Sequence, residues 1–265
     1  MTQDELGRVV QAVQSSTKYA AIDPSLITAV ARAELDKGRS VKDAVKAAKS
    51  KLHQVTGAYQ PDRPPYAAWL AQLGAAHASG DVRTACRAVM DRHASTRERL
   101  AVLDRFYATV LGDLGPLTGV LDLACGLNPL ALPWLNLAPD AAYCACDIDQ
   151  NQVDFLNGFF RLVYPAGAAQ VCNLLDRVPP QRVQAALLLK TIPCLEQLDK
   201  DIGPRLLAQI DAAVVVVSYP AASLGGRRKG MVESYAAAFA ALVAGQPWRV
   251  SRFDFPTELV FRIDR

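Results

Sequence analysis

Apolar residues recur at intervals of three and four along the first fifty positions. Leu6, Val9, Val10 and Val13 mark one helix, and Asp23-Pro24-Ser25 gives the next an N-cap with proline at its first helical position. A third helix is predicted to open at Ser40, with Val41, Val45, Ala48 and Leu52 as its packing stripe. Lys42, Lys46 and Lys49 cluster about a quarter turn away, so one face packs and its neighbour is strongly positive. The proline-rich run from Tyr59 to Pro65 reads as a turn, because proline restricts the backbone and removes donors. Ala67–Leu73 and Val82–Met90 read as two further helices with Gly80-Asp81 between them, and Ser95 with Glu98 fits a capping box opening a helix through Tyr107.

After Pro116 the texture changes to short apolar runs alternating with helical stretches, the pattern of a parallel α/β sheet. The predicted strands are Gly119–Leu123, Ala142–Cys146, Ala168–Val171, Ala185–Leu189 and Ala213–Val217, with a terminal hairpin of Val250–Phe253 and Glu258–Ile263. The expected organisation is a helical N-terminal domain over residues 1–88 and an α/β domain over 89–265.

Composition leaves this picture standing: 265 residues, 51% hydrophobic and 21% charged, suit a globular protein with ample core. The start, Met-Thr-Gln-Asp-Glu, lacks the basic and apolar run of a secretory signal, and no apolar stretch approaches the roughly 20 residues of a membrane span. The expected location is the cytoplasm. The six cysteines show no Cys-x-x-Cys spacing and have only three histidines for company, so reduced thiols are expected and no metal site. A net charge of +3 says little, but its distribution says more. Lys37, Arg39, Lys42, Lys46, Lys49 and Lys51 stand against the single acid Asp43, and Arg227-Arg228-Lys229 sits between glycines far along the chain.

Val120-Leu-Asp-Leu-Ala-Cys-Gly126 is a strand running into a glycine turn, where open α/β sheets place their ligands. About 20 residues on, the next strand ends at Asp147, an acid able to accept both ribose hydroxyls of a nucleoside. Ala124 and Pro129 occupy the outer positions of a G-x-G-x-x-G motif, so no pyrophosphate cradle is evident. That favours S-adenosylmethionine over a nicotinamide dinucleotide, with a purely structural turn as the bland alternative. Cys125 sits in this turn with no basic partner in view and reads as a packing residue.

Five ordered motifs then carry a resemblance: His53-Gln-Val-Thr-Gly-Ala-Tyr59, His93-Ala-Ser-Thr-Arg-Glu-Arg-Leu100, Asp122 to Ala131, Leu189 to Glu196, and Ser218 to Met231. Over nearly its whole length the chain resembles the aminoglycoside-resistance 16S rRNA methyltransferases that methylate guanine N-7 in the decoding site. The resemblance implies a Rossmann-like methyltransferase core with a mainly parallel seven-stranded sheet, and a small all-helical N-terminal domain that grips 16S rRNA on the 30S ribosomal subunit. It implies an S-adenosyl-L-methionine pocket on Tyr59, His93, Ala94, Ser95, Arg99, Ala124, Gly126, Asp147, Ile148, Asn173, Leu174 and Leu189. In that pocket Arg99 would hold the methionine carboxylate, Asp147 the ribose and Asn173, where several relatives have an acid, the adenine amino edge. Without the motifs, His93 reads as a polar residue flanking a helix and Arg99 as a surface arginine paired with the neighbours of Glu98.

The target nucleotide is expected at Lys190, Arg227, Met231 and Ser234, and RNA docking at Lys18, Lys42, Lys46, Lys49, Lys51, Arg228 and Lys229. No acid–base dyad is expected, since guanine N-7 carries a lone pair and no proton, and catalysis would rest on proximity. Two other readings stand beside this one: a methyltransferase for another rRNA base or a small molecule, and an RNA-binding protein that has lost catalysis.

Overall fold

The structure is a computed structural model and describes residues 2–57, 59, 63–221 and 230–265. Three helices open the chain: α1 (Gln3–Gln14), α2 (Pro24–Leu35) and α3 (Val41–Leu52). Their starts follow the sequence. Thr2 and Glu5 close a capping box on α1, Asp23 accepts from the Ser25 N–H at α2, and Ser40 accepts from the Asp43 N–H at α3. The three pack around their own core of Leu6, Val9, Val13, Ile27, Val30, Ala44, Ala48 and Leu52. The buried stripe of α3 is thus Ala44, Ala48 and Leu52, with Val41 and Val45 half-buried beside it.

A single π turn (His53–Gly57) ends this unit, and α4 (Tyr66–Ser79), α5 (Val82–Met90), α6 (Ala94–Arg99) and α7 (Leu103–Leu111) follow. Trp69, Leu73, Cys86, Val89 and Met90 of α4 and α5 join Phe106, Phe155 and Phe159 in the core on one face of the sheet. The core of α1 to α3 is thus separate from the one that α4 and α5 join, where their apolar faces are covered by the α/β layer. The expected Ser95–Glu98 capping box is also absent. His93 is the N-cap of α6 and makes no side-chain cap bond, Ser95 lies inside the helix, and the Glu98 carboxylate faces Lys190 at 2.5 Å.

Seven strands form one sheet in the order β3-β2-β1-β4-β5-β7-β6: β1 (Leu117–Leu123), β2 (Leu137–Asp147), β3 (Gly167–Val171), β4 (Val183–Leu189), β5 (Ala212–Pro220), β6 (Arg249–Asp254) and β7 (Glu258–Asp264). The first five are parallel, and β7 runs antiparallel between β5 and β6, completing the expected hairpin. Helices α8 (Gln150–Val163), α9 (Ile192–Leu195), α10 (Ile202–Gln209) and α11 (Met231–Leu242) supply the remaining layers. The strand order reverses at β1, with β2 on one side and β4 on the other, which opens a crevice at their carboxyl ends. The three-helix unit is fastened to that edge by backbone: Asp23 N–H donates to Ile148 O at 3.0 Å, Gln150 N–H donates to Ala21 O at 2.9 Å, and Ile22 bridges Asp149.

Candidate active site

A cavity of about 370 Å³ lies at the crevice, within the range of small-molecule sites. Its floor is the turn after β1, where Ala124 (φ 49°) and Gly126 (φ 53°) are both left-handed. For a non-glycine such as Ala124 that conformation costs about 1–2 kcal/mol, and it is held by Cys125 N–H donating to Cys146 O at 2.9 Å. At Gly126 a Cβ would sit 2.9 Å from His93 Cε1, so glycine is required by sterics as well as by φ.

Asp147 ends β2 beside this turn. Its Oδ2 accepts from Gly126 N–H at 2.8 Å and its Oδ1 from Ile148 N–H at 2.7 Å. Burial raises its pKa, and the two backbone donors oppose the rise. Each oxygen keeps a lone pair beyond these bonds, as a ribose diol needs.

His93 caps the opposite wall, 8% exposed, its ring stacked on Tyr59 at 6.0 Å between centroids. Its Nδ1 is buried without a hydrogen-bond partner. Burial, then Lys190, Arg99 and Arg97, push its pKa down to about 4, so the imidazole is neutral at physiological pH. The Tyr59 hydroxyl meets Cys194 Sγ at 2.9 Å, and burial raises its pKa well above the usual phenol value.

Lys190 follows β4 with φ 61° and 6% exposure. It donates to Glu98 at 2.5 Å and to Ser95 O at 3.3 Å, and stands 3.9 Å from Glu258.

Of the expected pocket residues, Tyr59, His93, Ser95, Ala124, Gly126, Asp147, Ile148, Asn173, Leu174 and Leu189 face this one cavity, joined by Lys190 and Lys18. Arg99 stands apart from these. It is fully buried off the cavity wall, with Nε and Nη2 donating to Glu258 at 3.0 and 2.6 Å and Nη1 donating to Asn128 Oδ1 at 2.9 Å, so its fork is taken by protein groups. Ala94 is off the wall as well; its N–H donates to Tyr59 O at 2.7 Å and so positions that ring. Asn173 uses its amide nitrogen on Ser25 and Asp176, and its oxygen accepts from Leu175 N–H, leaving one oxygen lone pair for an adenine amino group.

Met231 is the first residue of α11, half-buried, and Ser234 is exposed one turn on; Arg227, Arg228 and Lys229 lie outside the described residues. Lys42 and Lys46 are exposed on α3 and Lys49 is half-buried. The Lys51 ammonium donates to Gln197 O at 3.3 Å across the junction with the α/β domain. Lys37 and Arg39 are occupied by the buried Glu34 at 2.5 and 2.8 Å.

Sequence reasoning missed the contribution of Thr17, Ala21, Ile22, Leu26, Val55 and Thr56 to the wall, as well as Cys172 and Cys194. Thr17, Ala21, Ile22 and Leu26 lie around the segment whose Ile22 pairs with Asp149, a long-range contact that local pattern does not show, while Val55 and Thr56 stand within the His53–Tyr59 motif. Among the described residues no helix is long and apolar enough to cross a membrane, no group of three His, Cys, Asp or Glu side chains could hold a metal, and all six cysteines are free.

The family profile described as ribosomal RNA methyltransferase (FmrO) matches residues 15–262. A 16S rRNA (guanine(1405)-N(7))-methyltransferase of Micromonospora echinospora is 37% identical over 99% of this chain and 98% of its own, and one of Frankia casuarinae is 39% identical over 97% and 93%. Among solved structures, the 16S rRNA methyltransferase RmtF in complex with S-adenosyl-L-homocysteine superposes with a TM-score of 0.87 at 33% identity over all of both chains, and the 16S rRNA methylase RmtB with 0.81 at 28% over 98% of each. With the strand order, the glycine turn and the carboxylate at the end of β2 in place, the chain belongs to the FmrO family of ribosomal RNA methyltransferases.

Proposed function

We propose that the chain transfers a methyl group from S-adenosyl-L-methionine to N-7 of the decoding-site guanine of 16S rRNA, guanine 1405 in the naming of its relatives, and does so in the cytoplasm on the assembled 30S subunit. The observation that carries this reading is the cradle of Asp147, whose carboxylate is aimed by Gly126 and Ile148 N–H groups at the floor of a nucleoside-sized cavity.

The donor set fits the cofactor. Asp147 would take the ribose hydroxyls, Asn173 and Leu174 the adenine edge, and the turn from Ala124 to Gly126 with neutral His93 the amino-acid end. When bound, S-adenosylmethionine supplies an electrophilic methyl on a sulfonium.

Guanine N-7 needs no deprotonation, and neutral His93 and the engaged Lys190 are consistent with a site that has no proton to move. The residues bind, orient and exclude water. Holding nucleophile and methyl in near-attack geometry can contribute about 7–11 kcal/mol. Reaching N-7 within structured RNA requires the nucleotide to be turned out, at a few kcal/mol, offset by phosphate and base contacts. Met231, Ser234, Lys190 and Arg227 are the proposed contacts to that nucleotide, and Lys42, Lys46 and Lys49, with Lys18, Arg228 and Lys229, the proposed docking cations. A methylated N-7 carries positive charge on the edge where a cationic aminoglycoside would approach, which accounts for resistance.

The test is transfer of labelled methyl groups to purified 30S subunits, with the modified nucleotide mapped. Label is expected at one guanine N-7, with naked 16S rRNA a poor substrate; label on another base, or only on a small molecule, would replace this reading with the corresponding alternative.

A further inference from the structure

Beneath the cavity floor, and out of contact with the cavity, runs a chain of buried polar groups. Asn128 is 2% exposed and opens the 3₁₀ segment Asn128–Trp134 just after the glycine turn. Its oxygen accepts from Arg99 Nη1 at 2.9 Å and from Tyr107 OH at 2.7 Å, and its nitrogen donates to Asp122 Oδ2 at 2.9 Å. Asp122 Oδ2 also accepts from Tyr143 OH at 2.7 Å, while Arg99 is anchored on Glu258, which accepts in turn from Ser218. Asp122 belongs to β1 before the turn and Asn128 stands after it, so their bond joins the two ends of the segment holding both left-handed residues, Ala124 and Gly126. Asn128 N–H donates to Cys125 O at 2.9 Å inside the same loop. A strained turn keeps its shape only where its surroundings over-determine it, and here Asp122, Asn128, Arg99 and Tyr107 do so.

We propose that Asn128 is a positioning residue for the methyl donor: its carboxamide, fixed between Asp122 and Arg99, clasps the turn that aims the Gly126 N–H at Asp147. The inference rests on the cofactor reading given above. An amide suits the position because it presents an acceptor to a cation and a donor to an anion at once, which neither a carboxylate nor an alkyl group does. Aspartate at 128 would face Asp122 as a second buried carboxylate, and the loss of one hydrogen bond would become a repulsion.

The polarity of the clasp supplies its own control. Asn128→Asp alone is expected to raise the dissociation constant for S-adenosylhomocysteine about tenfold or more. The exchange Asp122→Asn with Asn128→Asp restores one donor facing one acceptor and is expected to return it to within about threefold of the wild type, a coupling of the kind neighbouring residues show. The KM for S-adenosylmethionine should follow the dissociation constant, while kcat at saturating donor stays within about twofold. Tyr107→Phe, which removes one donor from the Asn128 oxygen without touching the turn, serves if the single aspartate variant does not fold, and should weaken binding about threefold.

A purely structural residue would lower the melting temperature and leave the affinity of the folded protein where it was. Wild-type affinity in folded Asn128→Asp or Tyr107→Phe, or no recovery in the exchange, overturns the proposal. Failure of the wild type itself to bind the cofactor removes the cofactor reading and this inference with it.

Discussion

The three-helix unit and the α/β domain bury different things. In the first, the core is aliphatic apart from Tyr19, and its one buried charge, Glu34, is paired to Lys37 and Arg39 at the rim. In the second, Arg99, Asp122, Lys190 and Glu258 are all buried under or beside the cavity, tied by hydrogen bonds across β1, β5 and β7. A unit whose charges stand mostly on its surface can be altered at those exposed positions with little loss of stability. A domain whose chemistry is buried cannot, because each polar group removed leaves a partner unsatisfied, at about 1–3 kcal/mol. Function and fold are separable in the first region and joined in the second.

The largest effect expected from that contrast is at Asp147. Asp147→Ala removes the proposed acceptor of two ribose hydroxyls and frees the Gly126 and Ile148 N–H groups. Hydrogen bonds to a charged group contribute about 1.5–3 kcal/mol each, so cofactor affinity should fall roughly a hundredfold or more. Calorimetry with S-adenosylhomocysteine measures it, and an unchanged dissociation constant would refute the ribose role.

Next in size is the acid response of His93. The folded ring titrates at about 4 because burial and then Lys190 disfavour its cation, against an ordinary 6.5. Below pH 6.5 the unfolded chain binds a proton that the folded chain refuses until about pH 4, so this residue's contribution to stability is lost as pH falls through that window. At pH 5 the loss is about 2 kcal/mol. Denaturant titrations of wild type and His93→Gln at pH 7 and pH 5 should converge by that amount, and a difference independent of pH would mean that the ring is not held neutral.

The same contrast explains what could be read from sequence. All seven strands were legible, the five parallel ones as short apolar runs and β6 and β7 as a terminal hairpin, and Gly126 and Asp147 because one follows β1 and the other ends β2 at the expected spacing. The family motifs brought out Tyr59 and His93. What local sequence does not show is partner choice. Arg99 has a side chain suited to a carboxylate, but whether that carboxylate is a ligand's or Glu258's, 159 positions away, is decided by β7 entering the sheet between β5 and β6. In the same way α4 and α5 look like the helices before them, and only the covering of Trp69 and Cys86 by the α/β layer shows which core they join.

On the other side of the comparison, Lys42→Glu with Lys46→Glu reverses two exposed charges on α3. Affinity for 30S subunits should drop about tenfold or more at moderate salt, with a flatter dependence on salt concentration, because fewer counterions are released. Melting temperature and cofactor affinity should stay at wild-type values. A loss of either would show that the two regions are less separable than their cores imply.

The smallest expected effect separates a docking cation from a tether. Lys46 is exposed and free to meet phosphate, whereas the ammonium of half-buried Lys51, two residues past Lys49, donates to Gln197 O on the α/β side at 3.3 Å. Removing one phosphate contact at moderate salt weakens binding by a few-fold, so Lys46→Met should lose about three- to fivefold in 30S affinity. Lys51→Met should lose less than about twofold, and instead lower stability by about 0.5–1 kcal/mol, as for a single hydrogen bond. Binding and denaturation measured on both variants decide it: an equal loss of subunit affinity would return Lys51 to the docking face, and its contact with Gln197 would then be incidental to how the helical unit is held.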